Sequence, residues 1–257
     1  MSEIPSAVQW VWLVVALPLA GFVFNGAVSL WKPPVKWGKS AVTGVGVGVL
    51  AASFLIAVRV VLAVAAGHPE EPYVIGGWSW MPAGDLEIAL ALQVDQLSAV
   101  MLMVVTGVGA LIHIFSVGYM GEDPGYARYF AYLNLFVFFM LMLVLGANFP
   151  VMFVGWEGVG LCSYLLIGFW FEEKANADAG KKAFIMNRIG DTGFLIAMFM
   201  LFRATGSLDF ATVFAAAPGA FEVGGIEITL ITAALFLGST GKSAQLPQYT
   251  WLPAAMA

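Results

Sequence analysis

The stretch Pro150–Phe171 reads PVMFVGWEGVGLCSYLLIGFWF. As a helix rising about 1.5 Å per residue, it is long enough to cross the ~30 Å hydrocarbon core of a bilayer. Its only formal charge is Glu157, about one third of the way along. A carboxylate at that depth costs several kcal/mol unless it is paired, hydrated or protonated. Gly155, Gly158 and Gly160 surround the acid and let neighbouring helices approach closely. Two roles fit: half of a structural ion pair locking two helices, or a proton-carrying site.

The rest of the chain agrees with a membrane reading. Of 257 residues, 61% are hydrophobic and 11% charged, against about 25% charged in soluble domains, and the mean hydropathy is +0.89. The fold class expected is an all-α polytopic membrane protein with about seven transmembrane helices. The net charge of −5 comes with no basic patch for nucleic acid. The single cysteine, Cys162, lies in an apolar run, so neither an intrachain disulfide nor a CxxC metal site exists. Residues 4–31 lack a charged leader segment and read as a first span rather than a signal peptide.

Seven segments follow in order: Val8–Leu30, Ser40–Ala66, Gln96–Met120, Tyr129–Leu145, the opening stretch, Lys182–Phe202 and Glu227–Leu246. Between the second and third, Leu86, Ile88, Leu90, Leu92 and Val94 alternate with other residues. That period of two predicts a strand, with Tyr73–Trp80 as its partner, Pro82–Asp85 in the turn, and a small extramembrane β-hairpin as the product. Asp95 stands where a helix N-terminus favours an acid. His113, in the third span, suits a hydrogen-bonded packing residue or a proton relay. The link GANFP between segments four and five is short and uncharged, predicting a tight antiparallel pair. Ser207 is a candidate N-cap for a short amphipathic piece after segment six. Pro247 and Pro253 follow Lys242 closely and predict a broken helix there, which a membrane tolerates only where protein or water satisfies the freed backbone.

Lys32, Lys36, Lys39, Arg128, Lys174, Lys181 and Lys182 fall in the loops after spans one, three and five; only Arg203 stands near a span end on the other side. The positive-inside rule makes the first set cytoplasmic and the N-terminus and hairpin external.

Glu157, Arg188, Asp191 and Lys242 lie inside predicted spans five to seven. Arg188 and Asp191 are three residues apart, on one helix face and close enough to pair. Burial weakens the charged form of both Glu and Lys, and two charges 4 Å apart interact by about 4 kcal/mol at an effective dielectric near 20. Moving Glu157 relative to Lys242 is then enough to switch the lysine between holding and releasing a proton. Static ion pairs have the same composition.

Three motifs carry a family resemblance: FVGWEGVGLCSYLLIGFWFE at 153–172, KKAFIMNRIGDTGF at 181–194 and GSTGKSAQLPQYTWLPAAM at 238–256. Together with VDQLSAVMLMVVTGVGALIHIFSVGYM at 94–120, they resemble the chain 5 (L-type) antiporter-like subunits of respiratory complex I, NADH:quinone oxidoreductase. The resemblance implies a proton-translocating subunit of the membrane arm, with the first half of an antiporter-like fold. It implies that Glu157 and Lys242 are the working pair, and that Arg188 and Asp191 form an accompanying ion pair. It implies partners among the other membrane-arm subunits, with NADH, FMN, iron–sulfur clusters and quinone bound by those other subunits and no cofactor or metal here. The implied location is the cell inner membrane, multi-pass, in contact with lipid. The organisation expected is 1–72, two N-terminal helices; 73–145, the chain 5 N-terminal region; and 146–257, the start of the proton-conducting domain. Chains of this family are more than twice as long, so the sequence is expected to be a truncated portion. It also departs from the family pattern in placing Gln248 after Pro247, and Ala254 where an acid is frequent. The alternative reading is the large subunit of a multisubunit cation/proton antiporter; a purely structural assembly subunit is a third.

Overall fold

The computed structural model describes residues 4–31, 35–84 and 86–256. Lys32 and Asp85 therefore lie outside the described residues, as does the side chain of Lys36. A short 3-10 turn at Val8–Trp10 leads into helices α1 (Val11–Trp31) and α2 (Val35–Gly67). Strands β1 (Tyr73–Ala83) and β2 (Leu86–Val94) form a two-stranded sheet. Seven helices follow: α3 (Gln96–Tyr119), α4 (Tyr126–Leu145), α5 (Phe149–Ile167), α6 (Lys174–Thr205), α7 (Phe210–Ala220), α8 (Ile226–Lys242) and α9 (Trp251–Ala255).

Among the described residues, six helices, α1 to α6, are long and apolar enough to cross a membrane. The seventh predicted segment is α8, of 17 residues, a rise of only about 25 Å. It stops at Lys242 rather than running on to Leu246, and α9 resumes after the break. Other bounds differ from the sequence reading: α2 and α4 start earlier, at Val35 and Tyr126, and β1 runs on to Ala83, so that Pro82 lies in the strand and not in the turn. Helix α6 starts at Lys174, eight residues before the expected Lys182, because the polar turns KANADAGK are helical and lie ahead of the apolar part. Helix α7 is capped by Asp209, whose side chain accepts from the Thr212 N–H, and not by Ser207. The Ser207 hydroxyl instead accepts from the Asp209 N–H.

The chain divides into two compact units. The first comprises residues 1–77, 91–146 and 154–162. Here α1 packs on α2 and α4, and α2 on α3, around Val14, Leu50, Leu102, Phe130 and Leu141, all fully buried. Asp95 opens α3 with a reciprocal cap: its carboxylate accepts from the Ser98 N–H, and the Ser98 hydroxyl accepts from the Asp95 N–H. Such a cap adds about 1 kcal/mol. Polar groups also enter this core. Asn25 Nδ2 donates to Asn134 Oδ1 at 2.9 Å, and both residues are fully buried. Gly21 and Gly46 make room for them. A Cβ at Gly21 would lie 2.9 Å from Asn134 Oδ1, and one at Gly46 would lie 3.2 Å from Asn25 Nδ2.

The second unit comprises residues 78–90, 147–153 and 163–257. Helix α6 is its axis, with α7, α8 and α9 against it. Phe149 and Phe153 meet Phe194 of α6 at centroid distances of 6.4 and 5.3 Å. Asn148, which caps α5 by accepting from the Val151 N–H, donates to the Ala89 carbonyl of β2 at 2.7 Å and bridges to Asp209.

Candidate functional site

Four glycines close the crossing of α6 and α8. A Cβ at Gly193 would lie 2.7 Å from the Ala234 carbonyl, one at Gly190 would lie 3.2 Å from the Leu237 carbonyl, and one at Gly238 would lie 3.3 Å from Phe194 Cβ. A Cβ at Gly241 would lie 3.5 Å from Gly190 Cα. Glycine is needed at such a seam because any side chain would force the backbones apart. The close approach brings together the residues that follow Gly190 and Gly241 in the chain. These are Asp191 and Lys242, with Lys242 Nζ 3.8 Å from Asp191 Oδ2. The Asp191 side chain is 2% exposed and that of Lys242 17%. At an effective dielectric of 20, charges this close attract by about 4 kcal/mol.

The end of α8 adds to the field at Lys242. As the last residue of the helix, the lysine stands at the negative end of the macrodipole, which favours a cation. The chain then turns at Ala244, φ 49°. The freed carbonyls find partners: Ser239 accepts from the Ser243 N–H at 2.9 Å and Thr240 from the Gln245 N–H at 3.0 Å. Trp251 Nε1 donates to the Gly241 carbonyl at 2.9 Å. A side chain from beyond the break therefore caps the helix that presents the lysine.

Arg188 lies three residues before Asp191 on α6. Its side chain is exposed, and its guanidinium lies over the Phe184 ring at 5.0 Å. A three-residue offset rotates the two Cβ atoms by about 60° on the helix.

Glu157 belongs to the first unit. It is half-buried near the middle of α5. Its neighbours Gly155 and Gly158 meet the Leu143 backbone and the Phe139 ring of α4, in the order expected of two antiparallel helices.

His113 is also in the first unit, 1% exposed. Its Nδ1 lies 2.8 Å from the Gly109 carbonyl, and its Nε2 lies 3.1 Å from Asn134 Nδ2. With the proton on Nδ1, the ring donates to the carbonyl and accepts from the amide. The packing role thus has its hydrogen bonds in place. Asn134 and Asn25 complete this group; the signal for both was one amide in an otherwise apolar span. Asn187 and Gln248, 3% and 4% exposed, likewise join the second unit's core beside the ion pair.

Comparison with known proteins places these residues in context. Residues 146–257 match the family described as NADH:quinone oxidoreductase/Mrp antiporter, TM, and residues 80–130 match NADH-Ubiquinone oxidoreductase (complex I), chain 5 N-terminus. NADH-quinone oxidoreductase subunit L of Mycobacterium tuberculosis is 44% identical over 258 aligned positions, covering 96% of this chain and 38% of the relative. The chain belongs to the chain 5 (L-type) subunit family of NADH:quinone oxidoreductase. Subunit L of Pseudomonas aeruginosa is also 44% identical, over 95% of this chain and 39% of its own. The chain thus spans under two fifths of the length of these L-type relatives, in their N-terminal part. Among solved structures, the Mrp complex from Dietzia sp. DQ12-45-1b has a chain that superposes with a TM-score of 0.74 and 25% identity, over 96% of this chain and 25% of that one. Glu157, Arg188, Asp191 and Lys242 all fall within the region matched to the NADH:quinone oxidoreductase/Mrp antiporter family.

Proposed function

We propose that this chain is part of a proton-translocating membrane-arm subunit of NADH:quinone oxidoreductase, with its redox cofactors and quinone held by other subunits. It works in the cell inner membrane with its N-terminus outside, against lipid and neighbouring membrane-arm subunits. The observation that carries this reading is the buried Asp191–Lys242 pair, 3.8 Å apart, at the broken end of α8. A lysine ammonium is a proton carrier whose charged state depends on its neighbours. In this reading, charge movement elsewhere in the complex changes the field at Lys242, which then takes up or passes on a proton. Asp191 and Glu157 are the acids that tune it, and Arg188 answers them from the exposed face of α6. The likeness to the Mrp complex supports a second reading, cation/proton exchange, on the same residues.

The test is NADH-driven proton uptake into inverted vesicles, alongside native-gel assembly of the complex. Glu157→Gln and Lys242→Ala should each assemble while proton uptake falls at least tenfold. Lys242→Arg should not restore it, because arginine stays protonated. A Glu157→Gln complex pumping at the wild-type ratio would make that acid a static lock. Cation-driven proton exchange without NADH would favour the second reading.

A further inference from the structure

The side chain of Gln248 reaches back from the break into the α6–α8 crossing. Its Oε1 lies 2.6 Å from where a Cβ at Gly241 would be, and 2.8 Å from where one at Gly190 would be. One oxygen thus touches the residue preceding Lys242 and the residue preceding Asp191. Gln248 is 4% exposed, and its Oε1 has no hydrogen-bond partner among the described residues. A buried amide oxygen without a donor costs about 1–3 kcal/mol, and an apolar side chain of the same size would avoid that cost. The glycines beside it provide room but no free donor, since their N–H groups lie within helices. The donor-only side chain carried by the residue after Gly241 is the Lys242 ammonium, which has three N–H bonds. Its distance of 3.8 Å from Asp191 is an ion pair but too long for a direct hydrogen bond.

We propose that Gln248 is a positioning residue, its Oε1 a second acceptor for the Lys242 ammonium. The lysine then swings on its four-carbon stem between the Asp191 carboxylate and the Gln248 amide without leaving the seam. The amide holds the ammonium less strongly than the carboxylate, so Asp191 can be released without stranding the charge. The functional consequence rests on the proton-translocation reading above; the contact itself does not.

A double-mutant cycle in the full-length chain within its native complex separates the two. Gln248→Met keeps length and burial and removes the acceptor; Lys242→Met removes the donor. The contact is read from thermal disassembly of the purified complex. Gln248→Met should lower the midpoint when Lys242 is present and leave it unchanged or raise it in the Lys242→Met background. In the wild-type background it should also slow proton uptake about tenfold, as expected for losing one hydrogen bond to a charged group. Gln248→Glu, which keeps an acceptor, should retain more uptake than Gln248→Met. An equal midpoint loss in both lysine backgrounds would show Gln248 to be a steric wedge and overturn the proposal. If Lys242→Met pumped normally while the midpoint coupling held, the pump reading would fail and the contact would stand.

Discussion

His113 shows how a buried polar residue is held in an apolar core. Its two ring nitrogens bond to the Gly109 carbonyl and to Asn134, and Asn134 in turn bonds to Asn25 and to the Gly46 carbonyl. The group joins α1, α2, α3 and α4. Removing one member strands the others, at about 1–3 kcal/mol per orphaned buried group. His113→Phe should therefore lower the thermal midpoint of the complex. Combined with Asn134→Leu, the loss should be smaller than the sum of the two single losses, because the second change removes an amide already stranded. Strict additivity would show that the histidine packs independently of the amides. Gly158 makes a different demand. Its α-carbon faces the Phe139 ring, so Gly158→Leu should part α4 from α5 and abolish assembly on native gels, whereas Cys162→Ala, on the same helix, should assemble.

At the scale of elements, the break after α8 governs the site. Ala244 turns at φ 49°, a left-handed conformation that costs an L-residue about 1–2 kcal/mol. Ala244→Gly should relieve that cost and raise the thermal midpoint; an unchanged or lower midpoint would mean that the methyl group packs usefully. Most elements were legible because their signals were local: six apolar runs, the period-two alternation of Leu86–Val94, the acid before α3, and two prolines after Lys242. The break itself was legible, but its end point was not, since Ser243–Leu246 has no proline or glycine to stop a helix, and the left-handed turn at Ala244 and the Trp251 bond to the Gly241 carbonyl are tertiary features. The approach of Lys242 to Asp191 was not legible. The spacing of Asp191 to Arg188 is local and visible, whereas its approach to Lys242 depends on a glycine seam between α6 and α8 that no single segment displays. Gln248 was visible only as a departure from a motif; its burial against Gly190 and Gly241 belongs to tertiary packing.

Across the whole molecule, the orientation in the membrane is a matter of how lysine and arginine distribute over the loops. Asn148, in the α4–α5 link, bonds to Ala89 of the hairpin and bridges to Asp209 beyond α6, so those three connections share one side. Within the first unit, Lys39 at the start of the α2 span donates to the Gly121 carbonyl in the α3–α4 loop at 2.6 Å. Lysine and arginine concentrate in the loops after spans one, three and five, from Lys39 and Arg128 to Lys174, Lys181 and Lys182. In the proposed orientation the positive-inside rule makes these loops cytoplasmic. The two ends of α6 offer the cleanest check, since the helix carries Lys181 near one end and Arg203 near the other, with side chains 62% and 78% exposed. The exposed ion pair of Arg203 with Glu227 at 3.0 Å contributes about 0–1 kcal/mol, so a cysteine there should be tolerated. The native Cys162 is fully buried and should add little background. With a membrane-impermeant maleimide on right-side-out vesicles, Arg203→Cys should label at once and Lys181→Cys only after permeabilisation. The reverse pattern would place the N-terminus and the hairpin in the cytoplasm, and the entry side of any proton reaching Lys242 would reverse with it.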